Sequence, residues 1–365
     1  MNEEFRKIGK KPYLTMHEGT CAPTPPGALP WDEQADIYTR NFLIMFGYGV
    51  YRHPSGPTPF DCANYWGEQH YGVCGLFTRI PYCKPKPSYV AYATLSRHLN
   101  RANFEKWIPT GSLSTYCQQF KHYKTGKLIH VFWSIRGKRP VTLTVPKGAS
   151  VIHFDEDDNS TALVEKDDKV TFEIDPSPCY VEGLTTDAVI SLGDPDHSDA
   201  QPAKETVRLG NPGDGSWKLV AEEDKTYADN HPLQMARFLG KMSVETVDAP
   251  KERGGKALAV HLEKQGKERK LMPWYTTLVP RRPIIIPGKA SHLGLWVRAA
   301  SDWGRVVYSL RDAKGERWIS VGTREQWNCD DTHLWSFFNF DGWRYLRFEM
   351  PSNSPYDNFR ELGST

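Results

Sequence analysis

The sequence predicts a mainly β protein with an α/β amino-terminal segment followed by two antiparallel β-sandwich domains. Three observations lead there. Up to about Asn100, extended runs alternate with amphipathic helix patterns and loops rich in Pro and Gly, which is an α/β rhythm. From Phe104 no helix-length pattern recurs, and short alternating strands follow one another between turn signals. Beyond a stretch rich in Asp, Pro, Gly and Ala between Thr185 and Gly215, strands resume, and seven of the twelve tryptophans lie between Trp274 and Trp343. A chain of 365 residues has room for two or three domains of ordinary size.

In the first segment, apolar Tyr13–Met16 reads as a strand ending at His17-Glu18-Gly19, and Cys21–Pro30 as an irregular connection. Asp32 and Glu33 open a helix, since acids in the first turn are favoured by the helix dipole. Its apolar face is predicted to run through Ile37, Asn41-Phe42 and Met45, and Gly47 and Gly49 to end it. A second extended stretch and a loop holding Asp61, Tyr65, Trp66 and Glu68 precede a helix over Ser88–Asn100. Its predicted buried stripe is Tyr89, Tyr92, Leu95 and Leu99.

The middle segment offers seven strands: Thr115–His122, Leu128–Ser134, Val141–Val145, Ser150–Phe154, Thr161–Val164, Val170–Ile174 and Tyr180–Glu182. Turn signals such as Thr125-Gly126, Arg136-Gly137 and Lys147-Gly148 separate them. The acidic run Asp155–Asn159 lacks the spaced ligands and closing Glu of an EF-hand, so a hairpin turn is expected there. The last segment has strand patterns over Lys256–Leu262, Leu293–Arg298, Arg305–Arg311, Trp318–Gly322 and Trp343–Phe348. The expected organisation is therefore residues 1–101, 102–185, a linker over 186–214, and 215–365.

Composition excludes several functions. With 46 Lys+Arg against 44 Asp+Glu, the formal charge of +2 provides no basic field for nucleic-acid phosphates. No apolar run approaches the roughly 20 residues that span a bilayer, so no membrane insertion is expected. The seven cysteines include no C-x-x-C pair, which argues against a zinc ribbon. One disulfide among Cys62, Cys74 and Cys83 fits an exported protein. Met1–Lys11 lacks the apolar core of a secretory signal, so secretion or display at the cell surface would need a signal upstream of it.

Among the late tryptophans, Trp296 and Trp343 sit in apolar strands and are expected to be buried. Trp303, Trp327 and Trp335 have more loop-like surroundings and are candidate ligand contacts. With Asp330, Asp331, Asn339 and Asp341 they resemble the binding face of a jelly-roll carbohydrate-binding module; the alternative is a set of purely structural aromatics.

Three pieces carry a second resemblance: KPYLTMHEG, ending a strand at Glu18; GVCGLFTRIPYCKPKPSYVAYATLSRHL, with its Gly-Leu and Lys-Pro-x-Tyr before a helix; and a following compact β sandwich closed by PSPCYVEGL. Over Lys11 to Gly183 the chain resembles the carboxy-terminal part of a clan A TIM-barrel glycoside hydrolase, a retaining enzyme whose nucleophile ends the seventh strand. The resemblance implies a partial TIM barrel in which Glu18 is the nucleophile. Asp61, Tyr65, Trp66 and Glu68 would lie beside the substrate at the carboxyl ends of the strands. The clan's acid/base is a Glu preceded by Asn, and here the one such pair, Asn2-Glu3, stands outside any strand. About six β/α units are therefore expected upstream, and the chain by itself is expected to be inactive. The implied partner is a polysaccharide or oligosaccharide, with no cofactor and no metal. The alternative is a non-catalytic carbohydrate-binding protein that acts through its last domain.

Overall fold

The computed structural model describes residues 31–49, 75–78, 82–184, 188–198, 200–220, 238–239, 242–251, 253–262, 274–275, 277–304, 306, 308–319 and 338–350. The chain divides into two compact units. The first comprises Met1–Gln201, Gly294–Val307 and Val321–Phe348, and the second Pro202–Leu293, Tyr308–Ser320 and Glu349–Thr365. The protein is mainly β, with several antiparallel sheets.

The first unit contains helices α1 (Trp31–Gly47) and α2 (Pro87–Leu99). They are followed by strands β1 (Ala102–Trp107), β2 (Thr115–His122), β3 (Leu128–Ser134), β4 (Arg139–Thr144), β5 (Val151–Phe154), β6 (Ser160–Leu163), β7 (Lys169–Ile174), β8 (Cys179–Glu182) and β9 (Val189–Leu192). The strands form a six-stranded sheet in the order β1-β2-β3-β8-β5-β6 and a three-stranded sheet β7-β4-β9. Each of the seven expected strands is present; β1 and β9 are additional.

Strand alternation organises the layers. Along β3, Ile129, Val131 and Trp133 point to one side, where they join Phe42 and Leu43 of α1, Leu95 of α2, Phe120 and Tyr180. Phe132 points to the other, joining Cys117, Val141, Leu143, Val170, Phe172, Cys179 and Val181 in the core shared with the three-stranded sheet. The six-stranded sheet thus has the helices on one face and the smaller sheet on the other. A strand buried on both faces needs apolar residues in both phases, which is why β3 reads almost continuously hydrophobic.

Both helices bury only part of the face that hydropathy predicts: Phe42 and Leu95 are buried and Leu99 packs beside them, while other predicted positions give way to small and polar residues. α2 buries Ser88, Ala91, Thr94, Leu95 and His98, whereas Tyr89 and Tyr92 are 42% and 37% exposed. The helical repeat is as expected but its phase is shifted, because small side chains permit close approach while the tyrosine hydroxyls stay wet. Tyr92 still rests on Phe42, with ring centroids 5.4 Å apart. α1 buries Gln34, Asp36, Thr39 and Arg40 along with Ala35, Tyr38, Phe42 and Leu43, while Ile37 and Met45 are half-buried. At Gly47 the helix lies so near the sheet that a Cβ would stand 2.2 Å from Cζ2 of Trp107. α2 begins on Pro87, where the missing N–H costs nothing, and the Lys86 N–H donates to the Leu76 carbonyl at 2.9 Å.

Gly183, just after β8, has φ +102°, and a Cβ there would lie 2.0 Å from the Ser150 carbonyl oxygen. Gly183→Ala is expected to destabilise the protein by about 2–3 kcal/mol, since neither the backbone angle nor the contact can relax cheaply. A thermal melt checks this, and an unchanged midpoint would show that the β5–β8 junction yields.

Ten further strands are described: β10 (Trp217–Val220), β11 (Phe238–Leu239), β12 (Met242–Asp248), β13 (Lys256–Leu262), β14 (Trp274–Tyr275), β15 (Thr277–Pro280), β16 (His292–Ala300), β17 (Ser309–Arg311), β18 (Arg317–Ile319) and β19 (Asp341–Glu349). β16 pairs with β19, mostly within the first unit. In the second unit β10–β15, β12–β13 and β17–β18 are antiparallel and β11–β14 is parallel. No residue of β10, β12 or β15 is fully buried.

Cys117 and Cys179 are buried free thiols on β2 and β8, separated by Phe132 in the strand register. Cys83 is exposed and unbridged, and Cys62 and Cys74, the other two cysteines considered for the expected pair, lie outside the described residues. No helix among the described residues is long and apolar enough to cross a membrane.

Candidate functional site

Of the residues singled out by sequence, Glu18, Asp61, Tyr65, Trp66, Glu68, Trp327 and Trp335 lie outside the described residues. Trp303 lies within them, in the turn that follows β16. Its side chain is 43% exposed, and its backbone is left-handed at φ +60°, as is that of Ser301 at +56°. A bulky residue in this region is strained and persists only where its surroundings over-determine it. Here the Trp303 N–H donates to the Phe338 carbonyl at 3.1 Å, and the Phe338 N–H donates to the Gly304 carbonyl at 2.6 Å. Asp302 Oδ1 accepts from the Gly304 N–H at 3.2 Å. The indole is thus presented to solvent on a fixed turn.

Beneath that turn, the fully buried Ser301 hydroxyl lies 2.8 Å from the Ser114 hydroxyl and 2.5 Å from Asp341 Oδ1. Arg139 donates to Asp341 Oδ2 at 2.5 Å and to the Gly193 carbonyl at 2.7 Å. Burial pulls the Asp341 carboxyl upward, but hydrogen bonds from Ser301, Ser112 and Arg139 outweigh it and hold the group below the usual carboxylate range. Arg136 donates to Asn339 Oδ1 at 2.9 Å, and His197 Nε2 donates to the Asp341 carbonyl at 2.7 Å. Asn339 and Asp341, which the sequence suggests as partners for sugar hydroxyls, are instead spent on arginines of the same unit. Trp296 and Trp343 are half-buried rather than core residues; Trp296 packs on the Tyr345 ring at 5.2 Å.

Sequence reasoning missed two groups of ionisable side chains between the helices and the sheet. In the first, Ser177 donates to Asp36 Oδ1 at 2.7 Å, and Arg40 Nε donates to the Asp36 carbonyl at 3.2 Å. Burial above all, with the Asp36 charge next, pushes Glu156 up to about 9. In the second, His98 Nε2 lies 2.9 Å from Asp158 Oδ1 and Nδ1 lies 3.0 Å from Glu182 Oε1. Arg97 pairs with Asp158 and Lys127 with Glu182. The His98 hydrogen bond chiefly draws Glu182 down to about 2. The sequence signals were a Glu in the acidic turn and a His in the last turn of a helix, both of which also read as ordinary surface residues.

Asp36, Arg40 and His98 are buried, and they hydrogen-bond side chains and carbonyls of the same unit. A groove of about 910 Å³ crosses the outer face of the three-stranded sheet, lined by Thr142, Thr144, Thr171, Lys169 and Val189 among others. Among the described residues no three His, Cys, Asp or Glu side chains gather in a way that could hold a metal ion. The Asp155–Asn159 run is the β5–β6 hairpin turn, in which Asp155 Oδ1 accepts from the backbone N–H of Asp157 and Asn159.

No protein-family model matches the chain. No curated protein matches it either. Among solved structures it is similar to a family 39 glycoside hydrolase from the gut symbiont Bacteroides cellulosilyticus WH2, at 17% identity over 50% of this chain and 36% of that one, with a TM-score of 0.40. It is also similar to an alpha-amylase from H. orenii, at 17% identity over 42% of this chain and 35% of that one, with a TM-score of 0.26. The matches span little more than a third of those chains, and the neighbours are distant.

Proposed function

We propose that this chain is the carboxy-terminal part of a retaining glycoside hydrolase acting on a polysaccharide or oligosaccharide, with Glu18 as nucleophile and the acid/base supplied by β/α units upstream. α1 and α2 would close the barrel. The domain organisation proposed is a partial barrel over 1–101, a β sandwich over 102–185, a linker over 186–214 and a jelly-roll-like module over 215–365. Asp61, Tyr65, Trp66 and Glu68 would line the substrate cleft, and an upstream signal would direct the protein to the cell surface or beyond.

One observation carries the reading. The helix introduced by Lys84-Pro85-Lys86-Pro87 packs directly onto a compact β domain whose PSPCYVEGL segment supplies β8, an interior strand of the six-stranded sheet. A helix followed at once by a compact β domain is the order that the sequence resemblance implies.

A second reading, a carbohydrate-binding protein without catalysis, is favoured by Trp303, whose exposed indole offers a flat apolar face for the CH-rich side of a sugar. Trp327 and Trp335 would extend that face. The test is binding of the whole chain to a panel of soluble polysaccharides, with Trp303→Ala beside it. Loss of a stacking anchor is expected to weaken binding by roughly 1–3 kcal/mol without moving the melting curve. Unfolding of the variant would make Trp303 a structural residue, and failure of the intact chain to bind any glycan would leave the binding reading without support.

A further inference from the structure

Trp303 falls late in the sequence, yet the turn that carries it is bonded to the middle of the chain. The loop between β1 and β2 supplies Ser114, whose hydroxyl lies 2.8 Å from that of Ser301. β4 supplies Arg139, which donates to Asp341 Oδ2 at 2.5 Å. The turn before β4 supplies Arg136, which donates to Asn339 Oδ1 at 2.9 Å. All of these residues, and Trp303 itself, belong to the first unit. We propose that the Trp303 indole and the middle β domain form one composite saccharide-binding platform, in which Ser114 and Arg139 aim the indole through Ser301 and Asp341. The platform rests on the carbohydrate-binding reading above and adds to it the groups that position its aromatic face.

The link is a chain of hydroxyl and carboxylate groups largely shut away from water. Ser301 is fully buried and Ser114 is 4% exposed. A carboxylate only accepts, so the single Ser301 proton goes to Asp341 Oδ1, at 2.5 Å, and the Ser114 hydroxyl turns its own proton toward Ser301. Asp341 thus receives Ser301 on one oxygen and Arg139 on the other. Both donors on the β domain are themselves fixed. Arg139 also donates to the Gly193 carbonyl at 2.7 Å. Ser114 accepts from the Ile135 N–H at 2.8 Å through its carbonyl, and its N–H donates to Ser112 Oγ at 3.1 Å.

The backbone transmits this link to the indole. Ser301 and Trp303 are both left-handed, at φ +56° and +60°, a conformation that residues with side chains keep only where their surroundings hold them. The Ser301 N–H donates to the Phe340 carbonyl at 2.9 Å, and the Trp303 N–H to the Phe338 carbonyl at 3.1 Å. Phe340 is fully buried, with the His197 ring edge-on to it at 5.5 Å, so this neighbouring segment stays in place if the turn shifts. Without its hydroxyl partners Ser301 can relax out of the left-handed region, and the direction of the Trp303 side chain, two residues on, changes with it. A stacking face binds best when its direction is set before the sugar arrives.

Fluorine NMR of the full chain labelled with 5-fluorotryptophan tests the link without any ligand, the Trp303 signal being assigned by its absence from Trp303→Phe. Asp341→Asn and Ser114→Ala are expected to shift or broaden that signal. Asparagine keeps the shape of Asp341, but its amide nitrogen sets a donor against a donor, so one of the two bonds is lost. Val170→Ala truncates a core residue of the same β domain; it lowers stability without touching the link and should leave the signal where it is. Affinity for a soluble polysaccharide, measured on the same proteins, should fall about tenfold in Asp341→Asn and Ser114→Ala and hold in Val170→Ala. Should Asp341→Asn fail to fold, Ser114→Ala, which deletes a single hydroxyl, carries the test. An unmoved Trp303 signal in the folded link variants would overturn the positioning, as would an equal displacement in Val170→Ala. Undiminished affinity in variants whose Trp303 signal has moved would overturn the platform. Failure of the intact chain to bind any polysaccharide would instead overturn the reading beneath it, whatever the Trp303 signal does.

Discussion

In a protein carrying the upstream β/α units together with this chain, Glu18→Gln is expected to lower glycoside turnover on the order of 10³-fold or more while the melting curve stays in place. The substitution preserves size and hydrogen bonding but removes the negative charge that attacks the anomeric carbon, so the covalent glycosyl intermediate cannot form. This chain by itself is expected to turn over no measurable glycoside. A nucleophile without its general acid must expel an unprotonated alkoxide, and proton transfer typically contributes about 10²–10⁴-fold. Initial rates on aryl glycosides and natural polysaccharides, taken for the longer protein, its Glu18→Gln variant and this chain, decide the matter. Wild-type-like turnover by the variant would remove Glu18 from the mechanism and direct attention to Asp61 or Glu68. Robust turnover by the present chain would place both carboxyl groups within these residues and end the barrel reading.

The β strands of the first unit were legible in the sequence because alternation and turn residues agree there: each of the seven expected strands lies within two residues of its observed bounds. β1 escaped because a register shift between Phe104 and Lys106 breaks its alternation. β9 escaped because its four residues stand among Asp, Pro and Gly that resemble a linker. The phases of the helices were illegible for a different reason. Hydropathy places tyrosine inside and aspartate outside, yet Asp36 and Arg40 are buried as a hydrogen-bonded group that only the tertiary structure assembles. The misreading of Asn339 and Asp341 has the same origin. Their arginine partners lie 203 and 202 positions away in sequence, a separation at which no local pattern reports a contact. The exposure of Trp303, by contrast, follows from its immediate neighbours Asp302 and Gly304, which favour a turn over a strand.

Trp133→Ala is expected to cost about 4 kcal/mol of folding stability, the largest loss foreseen for any single side chain of the first unit. Trp133 is fully buried on β3. It stacks on Tyr116 at 5.1 Å with rings 8° from parallel, and Trp107 meets it edge-on at 6.2 Å. It also belongs to the cluster that joins α1, α2 and the sheet. Truncation removes the transfer free energy of a large aromatic and leaves a cavity beneath two helices, whose position is further fixed by the contact of Gly47 with Trp107. One effect works the other way: the indole Nε1 makes no hydrogen bond among the described residues, so its removal restores roughly 1 kcal/mol of desolvation cost. The net loss should therefore stay at about 4 kcal/mol rather than reach the top of the tryptophan range, and Trp133→Phe, which keeps most of the ring and deletes the unpaired N–H, should cost far less than alanine. Urea unfolding followed by far-ultraviolet circular dichroism measures both. The slope should stay constant while the midpoint moves, and Phe132→Ala provides the matching truncation on the opposite face of the same strand. If Trp133→Ala costs no more than about 1 kcal/mol while Phe132→Ala costs about 3–5, the helices pack loosely on the sheet, and their docking depends on hydrogen bonds such as those of Asp36 and His98 rather than on the aromatic core.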